Sequence, residues 1–192
     1  MIAICCATTD ERTFAAGAAH TVRALDEVDS PLLRRHRCGS AEGPYNEMLA
    51  AAAARDDLEA VVFVHEGAVV DARVEVMARI RALLEASEHV AAIGAADGVR
   101  AREVATADGT LLALSAWAAR NLRFDPALAA DADASAQDIS LRARAEGRRV
   151  LAAPLGVVRA LPGRVGRAER QGQLDAMVEL RRKWEDEALA RA

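Results

Sequence analysis

The stretch at residues 60–70 begins as an unbroken apolar run and ends abruptly in polar groups. Residues 60–64 are apolar on both faces of an extended chain, which is typical of a central strand buried on both sides. His65, Glu66 and Gly67 follow directly. Polar groups at the carboxyl end of such a strand lie where α/β sheets bind ligands. We therefore expect the chemistry of the chain to gather at this strand end.

The other apolar runs are short and alternate with helical patterns. The sequence predicts strands at residues 2–7, 32–38, 90–93 and 150–153, and helices at residues 14–25, 44–58, 72–84, 136–146 and 169–190. The turn signal Asp108-Gly109 lies between two further apolar runs, which is typical of a β-hairpin. Ser115 after it is placed to cap a short helix. This order predicts an α/β fold with a mostly parallel mixed sheet, helices on both faces and a single domain over residues 1–192.

Composition and charge narrow the classes of partner. The net charge of -4 gives no general electrostatic reason to bind nucleic acid or an anionic membrane. No segment approaches the roughly 18 unbroken apolar residues of a membrane span. The start of the chain lacks the pattern of a signal peptide. Cys5, Cys6 and Cys38 fit neither a CxxC motif nor a zinc site, so we expect reduced thiols and a cytoplasmic protein.

Several short motifs follow one another in a recognisable order. They lie at residues 3–6 with 9–11, 40–41 with 45–46, 62–65, 108–113, 124–125, and 138–142 with 146–147. Together they resemble the nucleotide-diphospho-sugar transferases of the GT-A fold, most closely the small glycosyltransferase-like bacterial proteins related to family 2 glycosyltransferases. The resemblance implies a three-layer sandwich that transfers a sugar from a nucleotide-diphosphate donor to an acceptor that the sequence does not name.

The same resemblance implies roles for individual residues. They are Thr9, Asp10, Glu11, Tyr45 and Asn46 for the nucleotide, His65 and Glu66 for a divalent metal, Asp108 and Arg159 for the acceptor or a phosphate, and Asp138 as the general base. The metal, Mg²⁺ or Mn²⁺, would neutralise the diphosphate leaving group. The base would deprotonate the acceptor hydroxyl as it attacks the anomeric carbon.

The chain departs from the family at the metal site that the resemblance implies. The family usually has an aspartate two residues after the histidine, and this chain has Gly67, which offers no ligand. Arginine side chains such as that of Arg159 are an alternative means of binding phosphate without a metal. A literal D-x-D occurs at residues 131–133, but it follows no buried strand, and we interpret it as a solvated loop at a helix start.

Several of these residues also have a purely structural interpretation. Ser135 and Asp138 have the spacing of a capping box, in which the aspartate stabilises a helix start instead of acting as a base. Tyr45 is suited to the buried face of a helix, and His65 to a hydrogen-bonded strand end. The basic residues 34–37 fit either a solvated edge strand or a phosphate-facing cluster.

Three hypotheses on function therefore stand. The first is an active glycosyltransferase with a degraded metal-binding motif. The second is a catalytically degenerate relative that binds a nucleotide or a glycan. The third is a scaffold or oligomerisation protein, which would expose an apolar face on its carboxyl-terminal helix, and that helix is compatible with a homodimer.

Overall fold

The computed structural model of the chain describes residues 1–8, 11–27, 29–36, 42–128, 131–159 and 167–190. The strands in chain order are β1 (Ile2–Thr8), β2 (Leu32–His36), β3 (Ala60–Val64), β4 (Ala68–Val70), β5 (Val90–Ala95), β6 (Arg102–Glu103), β7 (Leu111–Ser115), β8 (Arg149–Ala153) and β9 (Val157–Arg159). The α-helices are α1 (Glu11–Ala16), α2 (Ala18–Leu25), α3 (Glu42–Ala53), α4 (Val76–Glu85), α5 (Ala116–Asn121), α6 (Ala132–Ala145) and α7 (Arg167–Ala190), with a 3₁₀ turn at Pro126–Leu128.

Within these residues the chain forms a seven-stranded main sheet in the order β2-β1-β3-β7-β5-β8-β6. Strands β1, β2, β3, β5 and β8 run in one direction, whereas β7 and β6 run in the other. The predicted α/β class and the mostly parallel mixed sheet are thus confirmed. The chain moves from β1 outward to β2 and then back across to β3, so the crevice at the carboxyl ends of β1 and β3 is a topological switch point. We call the edge where β1, β3, β5 and β8 end the carboxyl edge.

The predicted β-hairpin around Asp108-Gly109 is wrong. β7 does follow this turn, but its partners are β3 and β5, and it lies between them. The segment before the turn forms the short strand β6, which pairs with β8 instead. The turn therefore connects two distant positions of the sheet, because β7 is buried only when it completes the centre of the main sheet.

Both faces of the main sheet are covered by helices. Along β1, Ile4 and Cys6 point into the core beneath α2 and α4, whereas Cys5 packs into the core beneath α3, α5 and α6. β3 alternates in the same way. The adjacent Cys5 and Cys6 therefore face opposite sides of the sheet, and neither forms a disulfide among the described residues.

Several predicted helices have different limits in the structure. The helices expected at residues 44–58 and 72–84 are Glu42–Ala53 and Val76–Glu85. The helix expected at residues 14–25 is divided by Gly17 into α1 and α2. The helix expected from residue 136 begins at Ala132, and its cap is Asp131, whose side chain accepts a hydrogen bond from the N–H of Asp133 across 2.9 Å. Ser135 is therefore not the cap; its hydroxyl donates to the carbonyl of Leu128. Ser115 caps α5, as predicted, and Gly147 ends α6 with a φ of 72°.

A small ribbon lies beside the carboxyl edge. The sequence did not predict it: β4 and β9 pair antiparallel and form a separate two-stranded sheet. This ribbon places Arg159 directly opposite Ala68, just after the end of the central strand. Among the described helices, none has the length and apolar character needed to cross a membrane.

Candidate functional site

The central strand β3 ends at a histidine whose imidazole is held by the backbone. The N–H of His65 donates to the carbonyl of Thr110 across 3.1 Å. The N–H of Gly67 donates to Nδ1 of His65 across 3.0 Å. Because Nδ1 accepts this bond, the proton of the neutral imidazole lies on Nε2. His65 therefore offers an N–H donor, and within the described residues no group accepts a hydrogen bond from it.

Arg159 and Asp133 form a bidentate pair next to this histidine. Nη1 and Nη2 of Arg159 donate to the two carboxylate oxygens of Asp133 across 3.0 and 2.9 Å. The same carboxylate accepts the N–H of Gly109 across 2.8 Å. A Cβ on Gly109 would collide with the carbonyl of Ala132, so this turn fits against the start of α6 only as glycine. We call His65, Asp133 and Arg159 the candidate site.

Burial and charge set the ionisation of the candidate site. Burial lowers the pKa of His65, and the positive charge of Arg159 lowers it further, to about 4. Burial alone would raise the pKa of Asp133, but the hydrogen bonds and charge of Arg159 and the amide of Gly109 outweigh it, so the pKa is lowered. At neutral pH the site thus contains a neutral imidazole, a carboxylate and a guanidinium.

A cleft of about 360 Å³ opens beside Asp133, at the carboxyl ends of β5 and β8. This volume lies at the lower end of the range of about 300 to 1,000 Å³ for small-molecule sites. Its polar lining comes from Arg102, Thr106, Asp108, Asp133 and Gln137. Asp108 also accepts the N–H of Thr110 across 2.8 Å, which shapes the turn before β7. The structure therefore brings the predicted residues His65, Asp108 and Arg159 to the same edge of the sheet.

A second guanidinium lies near the switch point between β1 and β3. Nε of Arg34 donates to the hydroxyl of Thr8 across 3.2 Å, and Nη2 donates to the carboxylate of Glu11 across 2.8 and 2.9 Å. The guanidinium also lies 3.4 Å from the ring centroid of Phe14. Arg34 thus lies on an edge strand, as predicted, but its side chain is only 21% exposed and packs at the carboxyl edge. Of the residues predicted to bind the nucleotide, Glu11 is here, and Thr9 and Asp10 lie outside the described residues.

Tyr45 and Asn46, also predicted to contact the nucleotide, are part of the interior. The ring of Tyr45 is buried and lies 4.8 Å from that of Phe63 and 5.4 Å from that of Phe124, between centroids. The side-chain amide of Asn46 donates to the carbonyl of Phe124 and accepts its N–H, each across 2.9 Å. These contacts hold α3 to the segment after α5, which favours the structural interpretation of both residues.

Asp138 lies in a buried ion cluster and not in the cleft. Its carboxylate is fully buried, and it contacts Lys183 Nζ across 2.8 Å and Trp184 Nε1 across 3.0 Å, both on α7. Arg142 Nε lies 2.9 Å away as an ion pair without a hydrogen bond. Lys183 and Arg142 also contact Asp125. A general base must touch the acceptor, and Asp138 has no exposed surface here. The capping-box interpretation is also wrong, because α6 begins well before this position.

The residues at the end of β3 do not fit a divalent metal. In the described part of the chain, no three His, Cys, Asp or Glu side chains are grouped so as to hold a metal ion. His65 presents a proton at Nε2, its Nδ1 is occupied by Gly67, and the Asp133 carboxylate is occupied by Arg159. Mg²⁺ and Mn²⁺ prefer several unoccupied oxygen ligands, and His65 with Glu66 does not supply such a set.

Asp133 is the main site residue that the sequence interpretation missed. We expected residues 131–133 to be a solvated loop, but Asp133 is partly buried and bonded to two other segments. Two signals pointed to it. Residues 131–133 have the pattern of a helix start, and a carboxylate at the start of α6 lies at the carboxyl edge. Gly109 is a residue type that allows two backbone segments to approach closely.

Comparisons with known proteins give the fold and nothing more specific. No family model and no curated protein matches the chain. Among solved structures, the viral protein A197 from STIV is similar, with a TM-score of 0.52 and 12% sequence identity over 86% of this chain and 98% of that chain. At this identity the similarity shows a shared fold only. The chain is therefore an α/β protein with a mixed sheet and a charged site at the carboxyl edge.

Proposed function

We propose that the chain is a glycosyltransferase-like protein of the GT-A type that binds a nucleotide-diphosphate sugar at the carboxyl edge. The observation that carries the proposal is the pairing of a neutral N–H donor, His65, with a guanidinium, Arg159, at the end of the central strand. Both groups suit phosphate oxygens. The switch point between β1 and β3 supports the proposal, because open α/β sheets bind ligands at such points.

In this proposal the nucleotide lies along the ends of β1 and β2, near Thr8, Glu11 and Arg34. The diphosphate reaches His65 and Arg159, and the sugar extends toward the cleft beside Asp108 and Asp133. Arg159 carries the charge that a metal carries in the family, so binding is independent of Mg²⁺ and Mn²⁺. The buried thiols of Cys5 and Cys6 suit a reducing compartment such as the cytoplasm.

Transfer to an acceptor is the reaction to expect if the bound sugar turns over. A hydroxyl of the acceptor attacks the anomeric carbon, the nucleoside diphosphate leaves, and a carboxylate takes the hydroxyl proton. Asp133 lines the cleft and is partly exposed, whereas Asp138 is enclosed. Asp133 is therefore the better candidate for the proton acceptor in this arrangement.

A panel of thermal-unfolding measurements tests the proposal. The protein is heated alone and with UDP, GDP and their sugar conjugates, each with Mn²⁺ or with EDTA. We expect at least one nucleotide to raise Tm equally with either addition, since a ligand that binds only the folded state stabilises it. Arg159→Gln should abolish the shift. Arg55→Gln, which removes an exposed arginine near the opposite edge, should retain it. No shift with any nucleotide would refute the proposal.

One observation favours a scaffold or homodimer as the second candidate. Leu174, Met177 and Val178 on α7 are 61%, 39% and 68% exposed, and their spacing places them on one face of the helix. This is the apolar face that the third hypothesis requires. Light scattering tests it: a dimer that becomes monomeric in Leu174→Gln/Val178→Gln supports this role, and a monomeric wild-type protein excludes it.

A further inference from the structure

The guanidinium of the candidate site is already paired with a carboxylate of its own chain. Arg159 presents its two terminal nitrogens to Asp133 in the bidentate geometry that guanidinium groups also use for phosphate. Asp133 thus occupies the position at which a phosphate would pair with Arg159.

Two donors next to this pair have no acceptor in the described residues. Nε of Arg159 is buried and makes no hydrogen bond to any of the described residues. Nε2 of His65 carries a proton by the tautomer argument and also donates to no described group. A buried donor without a partner, as Nε of Arg159 is among the described residues, is destabilising and calls for an explanation. An anion larger than a carboxylate would provide oxygens for both.

The surroundings of the Asp133 carboxylate would also stabilise another anionic group at the same position. Asp133 lies in the first turn of α6, where the helix dipole stabilises an anion. The N–H of Gly109 points at the carboxylate from a second element. These fixed groups would act equally on a phosphate oxygen that replaced the carboxylate.

We propose that Asp133 and the phosphate of a ligand compete for Arg159. In the ligand-free protein Asp133 holds the guanidinium. A diphosphate displaces it, pairs with Arg159 and accepts the Nε2 proton of His65 as a hydrogen bond, and Asp133 is released toward the cleft that it lines. The identity of the ligand as a nucleoside diphosphate rests on the proposed function. The exchange between Asp133 and a phosphate does not depend on it.

Calorimetric titration with inorganic pyrophosphate in EDTA tests the exchange. Asp133→Asn keeps an oxygen for the N–H of Gly109 but removes the competing charge. We expect it to tighten pyrophosphate binding about tenfold, because charge-assisted hydrogen bonds no longer have to be broken. Asp133→Asn/Arg159→Gln should lose this binding. The matched control is Asp57→Asn, which removes an exposed aspartate paired with Arg55 and should bind like the wild type.

Unchanged or weaker binding in Asp133→Asn would overturn the exchange, as would equal tightening in Asp57→Asn. If Asp133→Asn does not fold, Asp133→Ser is the second variant, since serine also accepts a backbone N–H at a helix start. Titrations with UDP and GDP separate the two proposals. Tightening for pyrophosphate with no binding of either nucleotide supports the exchange and refutes the nucleotide. Nucleotide binding that Asp133→Asn leaves unchanged supports the nucleotide as ligand and refutes the exchange.

Discussion

Nζ of Lys183 lies 2.8 Å from Oδ1 of Asp138, and this contact joins the only lysine of the chain to a fully buried carboxylate. The lysine side chain is itself only 18% exposed. Trp184 adds a hydrogen bond to the same oxygen, and beside it Ala176 and Leu180 pack against Leu128. The carboxyl-terminal helix is therefore attached to α6 by charge as well as by apolar packing.

Asp138→Asn should lower the free energy of unfolding by about 3 kcal/mol, because it leaves the buried positive charge of Lys183 without one of its two partners. Urea denaturation followed by circular dichroism measures the change. Asp175→Asn, at an exposed position on α7, serves as the control and should leave stability nearly unchanged. A fully stable Asp138→Asn that loses sugar transfer would instead show that Asp138 is the base.

His65 should make the folded protein less stable in mild acid. Its pKa is lowered from 6.5 to about 4 in the folded state, chiefly by burial, so between these values the unfolded chain binds the extra proton. Stability contributed by the neutral imidazole is complete above pH 6.5 and is lost as pH falls toward 4. The loss amounts to about 3 kcal/mol at most.

Urea denaturation at a series of pH values between 4 and 7 measures this loss. His65→Gln should flatten the pH dependence in this window, because glutamine does not titrate. His89→Gln, at an exposed turn, should keep the dependence of the wild type. An unchanged slope in His65→Gln would assign the acid sensitivity to other groups.

The strands were predictable where local pattern and burial coincide. β1 is apolar from Ile2 to Ala7 and β3 is apolar at every position, because both faces of each strand are covered, and such runs can be recognised without knowing the partner strands. The partner of β7 was not predictable. A glycine turn between two apolar runs has the same local pattern whether the runs pair with each other or with distant strands. The position of β7 is determined by its pairing with both β3 and β5, which the local pattern does not show.

The candidate site was predictable only in part for a related reason. His65 ends a strand that the sequence identifies, so its location followed from the pattern. The contacts of Asp133 join residues separated by 24 and 26 positions, to Gly109 and to Arg159. The local sequence pattern does not reveal such long-range contacts. For the same reason it did not show that α7 covers Asp138.

Asn46 gives a prediction that separates structure from nucleotide binding. Asn46→Ala should lower the free energy of unfolding by about 2 kcal/mol, because both the N–H and the carbonyl of Phe124 lose their partners. Thermal and urea unfolding measure it. Asn121→Ala, which removes one exposed hydrogen bond within α5, should have a much smaller effect. Nucleotide affinity should stay unchanged in Asn46→Ala. A variant that keeps the stability of the wild type but binds nucleotide more weakly would show that Asn46 contacts the nucleotide.

Gly17 should tolerate no side chain, since it packs backbone to backbone against the turn after His65. A Cβ there would lie 2.8 Å from the carbonyl oxygen of Glu66 and 2.9 Å from the carbonyl carbon of Gly67. Gly17→Ala should therefore cost about 1–3 kcal/mol of stability through overpacking. Gly43→Ala is the matched control in α3, where a Cβ meets nothing within 4 Å and should stabilise slightly.

Because Gly17→Ala pushes directly on the Glu66–Gly67 backbone, it should also disturb the bond from Gly67 to His65, and the imidazole ¹⁵N resonances measured by NMR report that change. A Gly17→Ala protein with wild-type stability and unchanged resonances would show that this contact does not hold the end of the central strand.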